Sequence, residues 1–320
     1  MKDCNAKGIS ALLLLLISLG GVVNTRSFTR QERGWSSQGT IREAMSPPKN
    51  DNETETTVTN GQIKELAAGN RSSIFESFVA VARDEQTYAK LRASNSSLPE
   101  TSADFFKSYA VVAAFLGQRR TSGYSVEITQ GVDGRVHVRE QTPRDPIVKM
   151  VLSAPFKIVS VPVETDKPIV LTLDATWQNR LRPYRVTAGN LTITGGFAGV
   201  IKRLRLEGTL GIMRADSLAT FVFELQSVGD NQVRRLVDTA TGLVEPSKRV
   251  TLERVDAFAI AGAIRSPFRA VGQFAENEQE LTLNLQTNNS PNISDNFTAT
   301  GVVKATAPPA PADHPVYEGK

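Results

Sequence analysis

The sequence predicts a mainly β protein: an α+β unit with one helix, followed by an antiparallel β-sandwich or barrel. Three observations carry this prediction. Apolar residues recur at helical spacing over about residues 73–92. The stretch Tyr109–Thr129 reads as an apolar run, a polar turn and a second, alternating run. From Thr165 to Thr306 short alternating runs are separated by turn signals.

The chain of 320 residues has room for about two folded units. Residues 1–27 read as an export signal, with Lys2 and Lys7 ahead of the apolar run Ile9 to Val23. That run is shorter than the roughly 20 apolar residues a spanning helix needs. The expected location is therefore the periplasm, the cell envelope or the extracellular space. Membrane contact is expected only if this segment stays uncleaved. The formal charge is +4; residues 1–27 carry Lys2, Lys7 and Arg26 against Asp3, which leaves +2 beyond them. A charge this small gives no reason to expect nucleic acid as a partner. Cys4, the one cysteine, precedes the apolar run, so no disulfide is expected after it.

Residues 28–62 are polar, with Pro47-Pro48 and the run DNETETTVTN, and read as a disordered linker. Over 63–162 the sequence suggests one helix and about five strands. Ser73 and Glu76 fit a capping box, and Ile74, Phe78, Val81, Tyr88 and Leu91 give the helix its apolar face. Tyr109–Leu116 is a buried strand. Gly117–Gly123 is a turn, and Tyr124, Val126 and Ile128 share a face on the return strand. Val132-Asp133-Gly134 signals a turn before the strand carrying Val136 and Val138. Ile147–Leu152 and Phe156–Val161 are expected as further strands.

Residues 163–306 read as the antiparallel unit. Ile169, Leu171 and Leu173 share a face, as do Phe221, Phe223 and Leu225, and Leu281, Leu283 and Leu285. Gly195-Gly196, Gly229-Asp230-Asn231 and Thr287–Asn296 separate such runs. Residues 307–320 form a Pro- and Ala-rich tail.

The residues offer little for catalysis. Of the two histidines, His137 sits in a strand beside Arg135 and Arg139, and His314 lies in the tail. No G-x-S-x-G pattern, metal-ligand spacing or phosphate loop accompanies them, so the chain reads as non-enzymatic, without cofactor or metal. Two places suggest binding. Arg119, Arg120, Thr121, Gly123 and Tyr124 form a turn whose cations and aromatic ring could meet a partner. Seven basic residues against Glu207 lie between Arg180 and Arg214, and Arg182, Arg203 and Arg205 are candidates for an anionic glycan or lipid. The alternation of Leu204 and Leu206 with Arg203 and Arg205 also fits an ordinary solvated sheet face.

Phe105-Phe106, the strand from Tyr109, the segments FLGQRRTSGYSVEIT and VHVREQTPRDP, and the closing SAPFKIVSVP together resemble a known pattern. They are similar to the C-terminal domain of the PrcB family of bacterial protease-complex subunits, over about residues 63–162. The resemblance implies an accessory or binding subunit that accompanies an exported protease. Two departures stand out. Ser122 occupies a glycine position of the family's turn, and the lipid-bearing cysteine of the family's surface lipoprotein has no counterpart. The turn also resembles the T-T-G-Y loop of chagasin-like cysteine-protease inhibitors in three or four residues, which implies an inhibitor as an alternative.

Overall fold

The computed structural model describes residues 63–308, apart from Ser97 and the segments 145–147, 164–166, 196–199, 230–231, 259–266 and 288–296. The expected export segment, the linker, most of the tail and His314 lie outside the described residues. Strands dominate. Two small sheets precede a closed barrel of eight antiparallel strands, which resolves the choice between sandwich and barrel.

The first sheet has four antiparallel strands. They are β1 (Lys64–Gly69), β2 (Phe78–Ala82), β3 (Tyr109–Phe115) and β6 (Phe156–Pro162), in the order β1-β6-β3-β2. The second contains β4 (Ser125–Gln130), β5 (Val136–Gln141) and the short β7 (Leu171–Leu173), which pairs parallel with β5. Val126 and Ile128 on β4, Val136 and Val138 on β5, and Leu171 and Leu173 on β7 are buried, as alternation requires. They join one core with the first sheet. β3 and β4 do not pair with each other. The polar turn between them is therefore a crossover from one sheet to the other, not the hairpin tip its sequence suggests.

The expected helix over 73–92 starts later. Phe78–Ala82 is a strand buried along its whole length, and β-branched Val79 and Val81 suit that setting. The helix α1 spans Glu85–Ser94, where Asp84 caps it by accepting from Thr87 N, and Tyr88 and Leu91 keep their inward face. Ser73 instead donates to Ser94 O. Two four-residue helices, α2 (Phe105–Ser108) and α3 (Ala175–Gln178), complete this part.

The barrel strands follow one another in sequence: β8 (Arg182–Gly195), β9 (Val200–Ala215), β10 (Leu218–Gly229), β11 (Gln232–Val244), β12 (Arg249–Val255), β13 (Phe268–Phe274), β14 (Glu280–Thr287) and β15 (Phe297–Thr306). β15 returns to pair with β8 and closes the ring. Apolar side chains point in. Tyr184, Phe274, Phe221, Phe223, Phe258 and Phe268 form a continuous aromatic column, with neighbouring ring centres 5.4–6.4 Å apart. Arg203, Arg205, Glu224 and Lys304 are exposed on the outside. This alternation is the reverse of a membrane-spanning barrel, whose outer band is apolar. Among the described residues no helix is long and apolar enough to cross a membrane.

The free edge of β2 lies on the barrel wall, and side chains satisfy its backbone. Thr241 Oγ1 accepts from Val81 N at 2.7 Å, and Thr220 Oγ1 donates to Val79 O at 2.6 Å. Met213 Sδ accepts from Val79 N at 3.3 Å. An open edge would otherwise expose unpaired donors and acceptors. Just beyond this edge Arg83 is fully buried. It donates to Asp238, to Asp256 Oδ2 at 3.0 Å and to Thr239 O at 3.1 Å. Asp238 also accepts from Ile169 N and Asp256 N, and Arg254 pairs with Asp256. Burial opposes the charge on Arg83, but the Asp238 and Asp256 carboxylates outweigh it and raise its pKa. Burial raises Asp256 above its ordinary value, against the pull of Arg83 and Arg254. Two cations and two carboxylates thus join the sheets to the barrel with balanced charge.

Candidate functional site

The candidate site is a pair of loops at one end of the first sheet. Three extended segments run side by side there. Gln118 N donates to Phe75 O at 3.0 Å, and Leu116 N donates to Pro155 O at 2.9 Å. Arg119 and Ser153 exchange both backbone hydrogen bonds, at 2.7 and 2.9 Å. Ser122 N donates to Lys149 O at 3.0 Å, and Ser153 Oγ donates to Thr121 O at 3.1 Å. The turn 117–124 is therefore fixed by segments on both flanks.

Two glycines shape it. Gly117 has φ +71, and a Cβ there would lie 2.7 Å from the backbone at Phe75 and Glu76. Gly123 has φ +91 and packs against Pro143. Both positions favour a residue without a side chain. Ser122, standing where the resembled pattern has glycine, has no left-handed backbone.

Arg119 and Arg120 have different roles. The Arg119 guanidinium turns inward to a bidentate pair with Glu140, at 3.2 Å for each bond. It also donates to Leu116 O at 2.8 Å and lies 5.6 Å from the centre of the Tyr124 ring. Its fork is occupied within the chain, which leaves Arg120 as the exposed cation of the turn. Tyr124 is half-buried and precedes β4 by one residue, where the sequence suggests it starts the strand.

Behind Arg119 stands a relay that sequence reading missed. Glu140 also accepts from Thr176 Oγ1, and its backbone N–H donates to Asp174 Oδ2 at 2.6 Å. Asp174 caps α3, whose Trp177 is buried and donates Nε1–H to Phe115 O at 3.0 Å. The D-A-T-W run after β7 was the available signal, since Asp is a favoured helix cap.

The expected strand Ile147–Leu152 is a second correction. Ile147 lies outside the described residues, and 148–152 form an irregular loop. Val151 N donates to Lys149 O at 2.9 Å, a tight turn that takes the backbone out of extended geometry. Three successive apolar residues without alternation misled the strand reading.

The basic residues of the barrel do not converge. Arg182 pairs in register with Ile212 and lies 5.4 Å from the Tyr184 ring centre, near one end of the barrel. Arg203 pairs with Thr192 on the outer face, nine positions from Ile212 on β9, or roughly 30 Å at strand spacing. Arg205 is paired with Glu207 at 2.8 Å, Arg214 with Glu278 at 2.6 Å, and Arg180 with Glu76. The local excess of charge in the sequence is thus divided between faces and partly neutralised.

His137 is half-buried on β5, opposite Thr129 and Thr172. Among the described residues no group of three or more His, Cys, Asp and Glu side chains could hold a metal ion. No curated protein matches the chain. Residues 110–162, running from β3 through the turn and both loops to β6, match the family model described as PrcB C-terminal.

Proposed function

We propose that this chain is an exported, non-enzymatic accessory subunit that binds an extracytoplasmic protease through the turn Arg119–Tyr124. The observation that carries the reading is the family match, because residues 110–162 are the ones that build this turn and its flanks. The geometry supports a contact there. Arg120 is exposed and has no ion pair among the described residues, while Arg119 lies against the Tyr124 ring. A turn fixed before binding loses little conformational freedom on docking.

Arg119 is the positioning residue in this reading, and Arg120, Gly123 and Tyr124 face the partner. The test is a titration of the purified protein against the protease with which it co-purifies. An accessory subunit forms a stable complex that retains proteolysis, and Arg120→Ser weakens it roughly tenfold or more. Loss of proteolysis that Gly123→Pro abolishes would convert the reading to an inhibitor. Undiminished binding by Arg120→Ser and Tyr124→Ser would remove the turn from the contact.

A further inference from the structure

We propose that the loop Lys149–Leu152 inserts into the surface of an anionic phospholipid membrane. Met150, Val151 and Leu152 are 81%, 51% and 63% exposed. Phe75, 63% exposed, lies on the same rim: its carbonyl is bonded to Gln118, and the next residue, Arg119, is bonded to Ser153. Two strand spacings, about 10 Å, thus separate Phe75 from Ser153, the residue that follows the loop. Single exposed apolar residues are ordinary on a protein surface, but four on one rim are not.

The flanks of this rim are cationic. Lys149 and Arg120 are exposed, and neither has an ion pair among the described residues. Among the described acids nearby, Glu140 is held by Arg119 and Glu76 by Arg180, while Asp216 is exposed on the far side of Phe75. Apolar tips beside exposed cations suit a headgroup layer, where phosphates meet the cations and acyl chains receive the tips.

One feature favours lipid over a protein groove: the exposed tips are apolar, and the exposed charges beside them, on Lys149 and Arg120, are both positive. The loop is tied to the neighbouring turn at both ends, which fixes the base from which its tips project. Val151 N and Ser122 N both donate to Lys149 O, and both backbone groups of Ser153 are bonded to Arg119. The inference does not need the protease reading. If both hold, the partner is met at the membrane surface, beside the turn.

The test uses the chain without residues 1–27, so that the apolar run Ile9–Val23 cannot bind lipid itself. The described residues of 63–308 belong to one compact unit that this truncation leaves whole. A Leu152→Trp variant reports insertion, with the emission of Trp35 and the buried Trp177 subtracted using the parent chain. Its extra emission should shift to the blue, and be quenched by brominated lipid, on vesicles of equal parts phosphatidylglycerol and phosphatidylcholine. Pure phosphatidylcholine should give little response. Raising salt from about 0.1 to about 1 M, which shortens the screening length from about 10 to about 3 Å, should release the protein. Met150→Ser/Leu152→Ser should lower vesicle binding roughly tenfold or more, with thermal stability unchanged because both side chains are exposed. The proposal is overturned if phosphatidylglycerol vesicles bind neither parent nor reporter, or if the double serine variant binds equally. Loss of binding in Arg203→Ser/Arg205→Ser instead would move lipid contact to the barrel. A reporter shift with the protease and none with vesicles would assign the loop to protein docking; both results also overturn it.

Discussion

Arg83→Met tests how the sheets and the barrel are joined. The native guanidinium is fully buried and donates to Asp238, Asp256 and Thr239 O. Methionine fills much of the same volume but leaves Asp256 with Arg254, and Asp238 with backbone N–H donors and no cation among the described residues. Breaking one side of a buried ion pair costs roughly 3–5 kcal/mol. At roughly 2–4 °C per kcal/mol for a unit of this size, the melting temperature should fall by about 6–20 °C. The loss should also depend on pH. Burial raises the folded pKa of Asp256 above the ordinary 3.8, and Arg83 opposes that rise. A carboxyl whose folded pKa is raised contributes its full stability below the unfolded pKa, and loses it as pH climbs through the folded value. Removing Arg83 raises that folded value further, so protonation can relieve the variant at mildly acidic pH. The deficit relative to the parent should therefore be largest near neutrality and shrink toward about pH 5. Calorimetry of both proteins at the two pH values measures this. A variant within about 0.5 kcal/mol of the parent, or a deficit equal at both pH values, would refute the reasoning.

Other perturbations address the edge, the turn and its support. Thr241→Val removes the acceptor for Val81 N and should cost about 1–3 kcal/mol, with hydrogen exchange of the Val81 amide accelerated. Trp177→Phe leaves Phe115 O without its donor and should cost a similar amount, about 1–3 kcal/mol by urea denaturation. Gly117→Ala places a Cβ 2.7 Å from backbone atoms at φ +71 and should lower the melting temperature, while Gly134→Ala, whose Cβ would meet nothing within 4 Å, should cost less. Arg119→Ala should destabilise and free the Tyr124 ring, seen as a change in tyrosine chemical shifts, whereas Arg120→Ala should leave stability unchanged.

Much of the fold was legible in residue patterns. Phe221, Phe223 and Leu225, and Leu281, Leu283 and Leu285, alternate because one face of each strand fills the barrel and the other meets water. Closure was not legible, since it depends on β15 pairing with β8, more than a hundred residues apart in sequence. The helix start was misread because Phe78 and Val81 also fit helical spacing, and burial of both faces of β2 erased the alternation that marks a strand. At the site, the glycines and the turn were visible. The inward pairing of Arg119 was not, because Glu140 lies 21 residues away and nothing in the local pattern marks the two as neighbours.

The accessory-subunit reading is tested most directly by cross-linking the protein in intact cells, as parent and as Arg120→Ser, and assaying the captured complex for proteolysis. The account predicts that the parent retains an active protease and that Arg120→Ser retains much less. Equal capture of the same protease by both proteins would contradict the placement of the contact, and absence of any protease from the parent's cross-linked complex would contradict the function.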